Sequence, residues 1–547
     1  MSCDTHDVFN QPTPLEGVNL FTMDRTLVEA VDRFGAAWGA DALTRYGALA
    51  GGRLAGEGRL ANRHAPELRT HDAYGRRIDE VEFHPAYHEL MRTAVAHGVH
   101  SLPWEEEKAG AHVVRAGLEL LHNQADSGTD CPLTMTYASI PAIRTSPSLA
   151  AAWVPGILSR RYDPANRPAT EKTGLSIGMA MTEKQGGSDV RANTSRASPL
   201  NKHVGGAEAF QLTGHKWFCS APMSDAFLTL AYLDGGLTCF LLPRWRPDGT
   251  RNSFHLQRLK EKLGNRSNAS SEVEYRDAFA WLVGEPGRGV STIIQMVSLT
   301  RFNCMVGSTA IMRHAVHHVL HHIRQREAFG KRLVEQPLMK NVAADLVVET
   351  EAALWMTFRV AAAIDRRATD EREELFVRLV TALGKYWICK RAPQHTNEAQ
   401  ECLGGLGYVE DHVMPRLYRE APVNSIWEGS GNVQCLDMLR ALSRSPETLD
   451  VLIQELGTTR GAHRIYDAAV DELTMRLGGG EPDAFEARIV AERMALLLQA
   501  SLLLRHASGA IASAFIHARL TPSSLAYGGL RDPAAVDELL ARIDPAE

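Results

Sequence analysis

At 547 residues, with 44% hydrophobic and 23% charged residues, the chain is long enough for about three to four domains with sizeable buried cores, and a dominantly disordered polymer is excluded. Its net charge of -6, from 59 Lys and Arg against 65 Asp and Glu, gives no whole-surface signal for nucleic acid or an anionic membrane. Eight scattered cysteines without a CxxC pair and an N-terminus lacking the parts of an export signal predict reduced thiols in a cytoplasmic protein, and the most apolar run, the 11 residues Met494–Leu504, is too short to span a bilayer.

Residues 1–175 are predicted to form a helical domain, with helical patterns at Thr26–Trp38, His84–His97, Trp104–Gln124 and Ser148–Arg161. In the third of these, Val113, Val114, Leu118 and Leu121 recur at the three- and four-residue spacing of an amphipathic helix. Over 176–285 the period changes to two, in short runs such as Phe210–Phe218, Phe227–Leu233, Leu237–Leu242 and Glu272–Tyr275, which predicts a small antiparallel β sandwich or barrel. Over 286–440 and just beyond, the stretches Ser291–Arg326, Gln336–Arg367, Glu371–Cys402 and Val433–Ser443 predict an antiparallel four-helix bundle. Residues 441–547 read as further helices, broken at Gly478–Gly480, Pro482, Pro522 and Gly528–Gly529. The class expected is mainly α with a central β domain.

Between the last two bundle helices runs Ile426-Trp427-Glu428-Gly429-Ser430-Gly431-Asn432. A carboxylate beside a Trp and two glycines, held against an apolar pocket, is suited to take a proton, so Glu428 is the candidate base. The bland alternative is an acid favoured near a helix N-terminus, with glycines making the turn. Four further segments are modest singly: Met181-Thr182-Glu183-Lys184-Gln185-Gly186-Gly187-Ser188-Asp189, Gly214-His215-Lys216-Trp217-Phe218-Cys219-Ser220, Arg326-Glu327-Ala328-Phe329-Gly330, and Glu401-Cys402-Leu403-Gly404-Gly405-Leu406-Gly407-Tyr408. Glycines let a backbone approach a ligand, and the hydroxyls of Thr182 and Ser188 are ready hydrogen-bonding groups.

In this order, helices, a β module opening on Thr-Glu-x-x-Gly-Gly-Ser-Asp, then a bundle carrying Arg-x-x-Phe-Gly, Gly-Gly-x-Gly-Tyr and Trp-Glu-Gly-Ser, the series resembles the acyl-CoA dehydrogenase flavoprotein family. The segments Val8–Pro12, Arg59–Asn62, Met181–Gln185 and Asn265–Ser270, with the additional C-terminal stretch, are similar to its AidB-type branch, linked to DNA alkylation damage. The resemblance implies an FAD-dependent oxidoreductase that introduces an α,β double bond into an acyl-CoA, a short branched one in this branch, with Glu428 as the base. It implies FAD contacts from Met181, Thr182, Gly187, Ser188, Trp217, Phe218, Cys219, Ser220, Ile426, Trp427, Gly429, Ser430 and Asn432. Arg326, Phe329, Gly404 and Gly405 would reach FAD in an adjacent subunit, which implies a homotetramer, and Arg301 would line the substrate cavity. The electron acceptor is left unknown.

Two positions depart from the family's pattern: Cys219 stands where a Thr hydroxyl is usual near the flavin, and Ser298 where an Asp often holds the CoA moiety. The branch likeness also implies an alternative role, binding or protecting double-stranded DNA with residual dehydrogenase activity. Residues 441–547 hold 10 Arg and no Lys against 15 Asp and Glu, a net -5 that departs from a basic footprint. Arg440, Arg444, Arg460 and Arg464 are the candidates for a local basic face. The helical series His314, His317, His318, His321 and His322 lacks the carboxylate or Cys that would complete a ligand set, so no metal is expected.

Overall fold

A computed structural model describes residues 5–478, 483–521 and 534–542. The expected breaks at Gly479, Gly480, Pro482, Pro522, Gly528 and Gly529 lie outside the described residues. From the N-terminus run helices α1 (Arg25–Arg33), α2 (Ala40–Ala50) and α3 (Arg53–Arg63), the hairpin β1 (Glu67–His71) and β2 (Arg77–Glu82), and helices α4 (Pro85–Ala96), α5 (Leu102–Glu105), α6 (Ala111–Ala125), α7 (Ser127–Arg144) and α8 (Pro147–Ile157). Strands β3 (Ile177–Ala180), β4 (Arg196–Val204), β5 (Ala207–Ser220), β6 (Ala226–Leu233), β7 (Gly236–Pro243), β8 (Phe254–Leu259) and β9 (Ser270–Val283) follow. Then come α9 (Gly289–Gln325), the two-residue strands β10 (Glu327–Ala328) and β11 (Lys331–Arg332), α10 (Pro337–Arg366), α11 (Glu371–Leu403), α12 (Met414–Glu420) and α13 (Gly431–Arg444). The C-terminal helices are α14 (Glu447–Gly457), α15 (Arg464–Gly478), α16 (Ala487–His506), α17 (Gly509–Arg519) and α18 (Ala534–Ala541).

The chain divides into two compact units, one of residues 54–108 and 125–303, the other of residues 1–53, 109–124 and 304–547. In the first, the strand order is β3-β6-β4-β5-β9-β7, with β8 paired to β9, and pairing of β6 with β7 closes the sheet into a small barrel. Most pairs are antiparallel, as expected, but β3 runs parallel to β6 in the register Ile177↔Ala226. The wholly antiparallel expectation is thereby corrected: the β4–β5 hairpin intervenes between β3 and β6 and supplies the crossover that a parallel pair needs. Phe227, Phe240, Phe254 and Tyr275 fill the barrel core.

Helix α7 escaped the periodicity reading because Pro132 and Pro141 lie inside it. Interior prolines cost helix stability, but nearly every α7 side chain is buried, and Asp126 caps its start by accepting from the Thr129 N–H at 2.8 Å. Asp126 also receives Asn62 at 2.7 Å and Ser267 at 2.9 Å, so two of the segments that mark the AidB-type branch meet on this one carboxylate. The stretch Trp104–Gln124, expected as one helix, is interrupted before α6 by Gly110 at φ +82°.

Helices α9, of which the part from Cys304 onward lies in the second unit, α10, α11 and α13 match the predicted bundle helices to within two residues or so at each end. Helices α16, α17 and α18 pack against α10, and α14 and α16 against α11. Buried ion pairs tie these layers together. Arg359 joins Glu373 at 2.8 Å and Glu455 at 3.0 Å; Arg519 joins Asp345 at 2.6 Å and Glu349 at 2.9 Å; Arg542 joins Glu351 at 2.5 Å and Glu29 at 3.0 Å.

Burial opposes ionisation of Glu349, but Arg391 and Arg519 outweigh it and bring its pKa down to about 2; Arg359 and Arg505 do the same for Glu455 against its own burial. Between pH 4.5, the ordinary glutamate value, and about 2, the unfolded chain therefore binds more protons than the folded one. The stability these groups give is complete above that window and is lost as pH falls through it. Melting temperature is expected to fall from pH 5 to pH 3, and Glu455→Gln to start lower and fall less steeply; parallel slopes would remove Glu455 from this account.

Candidate active site

In the barrel unit, the predicted segments at Thr182 and Trp217 lie side by side, the Trp217 N–H donating to the Thr182 carbonyl at 2.8 Å. What joins them is a pair that the motifs contain but composition does not reveal. Glu183 and Lys216 are fully buried and bonded at 2.8 Å, and Lys216 also donates to the Leu230 carbonyl at 2.8 Å. Glu183 further accepts from the N–H groups of Thr194 at 2.7 Å and Ser195 at 3.2 Å. Burial resists its charge, yet Lys216 and these donors hold its pKa at about 2. Sequence reading takes such alternating charges for solvated strand positions, so only strand pairing exposes their role.

Around this pair, Met181 and Thr182 are half-buried, whereas Gly187 and Ser188 are exposed on the turn. The indole of Trp217 is half-buried, with the Lys260 ammonium 3.2 Å from its ring centre and Phe218 half-exposed beside it. Ser220 bonds Ser270 at 3.1 Å. The thiol of Cys219 faces the barrel core with no exposure, and burial pushes its pKa far up. The strand register is irregular between Lys216 and Cys219, next to this inward-facing side chain. In the part of α9 that belongs to this unit, Ser298 and Arg301 are half-buried.

In the bundle unit, the loop before α13 carries Glu428 half-buried, in the left-handed region at φ +58°, followed by Gly429 at φ +95°. A non-glycine residue there costs roughly 1–3 kcal/mol and persists only where its surroundings enforce it. The enforcement comes from neighbouring helices. Lys385 on α11 donates to the Trp427 carbonyl at 2.8 Å and also to that of Gly429. Gln434 on α13 donates to the carbonyls of Glu428 at 3.1 Å and Gly429 at 2.9 Å. The Trp427 indole donates to Asn424 at 3.0 Å, Ile426 is exposed, Ser430 stands at the N-cap of α13, and Asn432 accepts from Arg488 of α16 at 2.8 Å.

Elsewhere on this unit, Arg326 follows α9 and donates to the Asn10 carbonyl. Phe329 tips the β10–β11 hairpin at φ +53° with its ring 98% exposed, an arrangement unusual for a bulky residue. Gly404, at φ +61°, and Gly405 have open space where a side chain would stand. His314, His318 and His412 pack edge to face, with ring centres 4.7 and 5.0 Å apart, and burial holds His314 and His318 well below the usual histidine range.

The four candidate arginines are exposed, and one of the two helical pairs expected is present. Arg440 and Arg444 share α13, whereas Arg460 lies in the turn after α14 and Arg464 opens α15. Arg440 pairs with Asp437 at 3.5 Å and Arg460 with Asp471 at 2.5 Å.

Among the described residues no helix is long and apolar enough to cross a membrane. Residues 10–164 match the family described as the adaptive response protein AidB N-terminal domain, residues 178–278 the acyl-CoA dehydrogenase middle domain, and residues 287–443 the acyl-CoA dehydrogenase C-terminal domain. The chain is 46% identical over 523 residues to the AidB protein of Escherichia coli (strain K12), covering 95% of each. The structure of Caenorhabditis elegans ACDH-11 in complex with C11-CoA superposes with a TM-score of 0.84 at 26% identity, over 99% of this chain and 93% of that one. Butyryl-CoA dehydrogenase of Megasphaera elsdenii shares the fold, with a TM-score of 0.57 at 18% identity over 78% of this chain and 99% of that one. With near full-length identity at this level and the three domain matches in the same order, the chain belongs to the acyl-CoA dehydrogenase family of oxidoreductases, in its AidB branch.

Proposed function

We propose that the protein is an FAD-dependent dehydrogenase that desaturates an acyl-CoA between its α and β carbons, with Glu428 taking the α-proton. The observation that carries this reading is the Glu428 loop, a carboxylate held half-buried in a left-handed backbone by donors from two helices. Strain of this kind concentrates at sites where a side chain must be aimed. FAD fits the residues present: Gly187, Gly404 and Gly405 are exposed glycines with no neighbour in van der Waals conflict, and Trp217 and Phe218 offer aromatic surface. When bound, FAD supplies the acceptor for the β-hydride. The chain's part is to remove the α-proton, orient the thioester and exclude water, which strengthens each polar contact.

The assembled form is a homotetramer in which Arg326, Phe329, Gly404 and Gly405 reach the FAD of an adjacent subunit. Its support is the outward display of Phe329 and Tyr408, 98% and 83% exposed. Thr182 and Ser188 bind the cofactor, Arg301 lines the acyl-CoA cavity, and the enzyme works in the cytoplasm. Double-stranded DNA is the alternative partner. The exposed Arg444 and Arg464 favour it, and the acidic partners of Arg440 and Arg460 count against it.

The test is turnover of FAD-loaded protein with short branched, short straight and medium-length acyl-CoA thioesters and an artificial dye as acceptor. A product lighter than its substrate by two hydrogens, with a 2-enoyl absorbance, is expected from one chain class. Unchanged thioesters throughout would refute the reading.

A further inference from the structure

We infer that Lys385 and Gln434 are positioning residues that aim the Glu428 carboxylate, by fixing the peptide planes on both sides of its α-carbon. This rests on Glu428 as the base. The geometry is specific. The carbonyl of Trp427 belongs to the peptide plane before Glu428, and Lys385 donates to it at 2.8 Å. The carbonyl of Glu428 belongs to the plane after it, and Gln434 donates to it at 3.1 Å. Both donors also hold the next carbonyl, that of Gly429. With one plane held on each side, φ and ψ of Glu428 are set from outside the loop, and so is the direction in which its side chain leaves the backbone.

Without these bonds the loop has reason to relax. A left-handed non-glycine residue is higher in energy than its right-handed counterpart, because its Cβ crowds the following carbonyl. Relaxation to negative φ would swing the Cα–Cβ bond, and with it the carboxylate, away from its present line. The donors stand on rigid elements: Lys385 is 1% exposed on α11 and Gln434 fully buried on α13. Taking an ammonium out of water is costly unless its hydrogen bonds are replaced, and the two loop carbonyls replace them here. Lys385 and Glu428 both act electrostatically on the buried Cys304 thiol, after the burial that chiefly pushes that thiol up.

Both residues sit outside every motif in the sequence. Lys385 occurs in Ala382-Leu383-Gly384-Lys385-Tyr386-Trp387, an unremarked helical stretch, and becomes legible only when the last turn of the loop is seen to fold onto α11.

The experiment uses full-length, FAD-loaded Lys385→Met, Gln434→Met, Lys385→Arg and Glu428→Gln, mixed anaerobically with the thioester that the wild type turns over best. The limiting rate of flavin reduction in the two Met variants is expected to fall by about 10- to 100-fold, the usual effect of a misplacement near 1 Å, with thioester affinity within about threefold. Amide hydrogen exchange over residues 426–431 of the substrate-free protein is expected to quicken in both. Lys385→Arg, which keeps a cationic donor, is expected to recover most of the rate. Met variants that reduce flavin within about twofold of wild type, or that lose affinity instead of rate, would overturn the inference. If Lys385→Met does not fold, Gln434→Met decides. A Glu428→Gln protein that still reduces flavin at the wild-type rate would sink the base assignment itself; an inactive Glu428→Gln beside fast Met variants would sink the positioning role alone.

Discussion

Glu428→Gln is expected to slow flavin reduction by an acyl-CoA about 10³-fold, within the range that a positioned general base supplies, while FAD content and melting temperature stay close to wild type. Glutamine keeps the length and shape of the side chain while removing its negative charge and its capacity to take a proton. The backbone of the loop should be indifferent to the change, because its bonds to Lys385 and Gln434 run through carbonyls and leave the carboxylate out. A loss confined to the rate is therefore the signature of chemistry, and a loss of FAD or of folding is the signature of structure. Reduction within tenfold of wild type would mean that another group takes the proton.

The second large effect concerns the C-terminal helices. A chain ending at Ser443 is expected to be insoluble or to lose its cooperative melt. Removal of α14–α18 takes Glu455 from Arg359, Arg519 from Asp345 and Glu349, and Arg542 from Glu351 and Glu29. Breaking one buried pair by deleting a partner costs about 3–5 kcal/mol, and three such sites together match or exceed a typical domain stability of about 5–15 kcal/mol. The same deletion uncovers the apolar α10 and α11 surfaces against which α16 packs. A truncated protein that melts cooperatively at the wild-type temperature would contradict this view of the extension as part of the bundle. For the DNA alternative, charge reversal at Arg444 and Arg464 in the full-length chain is the informative perturbation, because it leaves those buried pairs in place.

Much of the fold was legible because long helices and buried strands impose their periods on sequence. The 37 residues of α9, the 33 of α11 and the almost fully buried strands β6 and β7 carry patterns that no loop sustains. Helix α7 was not legible, since its prolines are tolerated only through burial that local sequence does not report. The parallel placement of β3 was hidden for a related reason: its partner β6 lies 49 residues away, at Ala226 for Ile177.

At the site, the glycine and aromatic segments were readable because few residue types permit close approach or positive φ. Glu183, Lys216 and Lys385 were not, since a buried charge looks the same in sequence as a solvated one until its partner is placed opposite. Cys219, which the resemblance places near the flavin, has its side chain in the barrel core, a direction that a motif match does not report. Arg460 and Arg464 show a further limit: four residues apart implied one helix face, and a turn intervenes between α14 and α15.

The measurement that bears most directly on the central claim is anaerobic titration of the FAD-loaded protein with acyl-CoA thioesters of several chain classes, followed by the loss of oxidised-flavin absorbance. Rapid bleaching by one class, reaching completion near one thioester per flavin, is the predicted result. A flavin-loaded protein that no thioester bleaches would contradict the account and leave the Glu428 loop without the chemistry assigned to it.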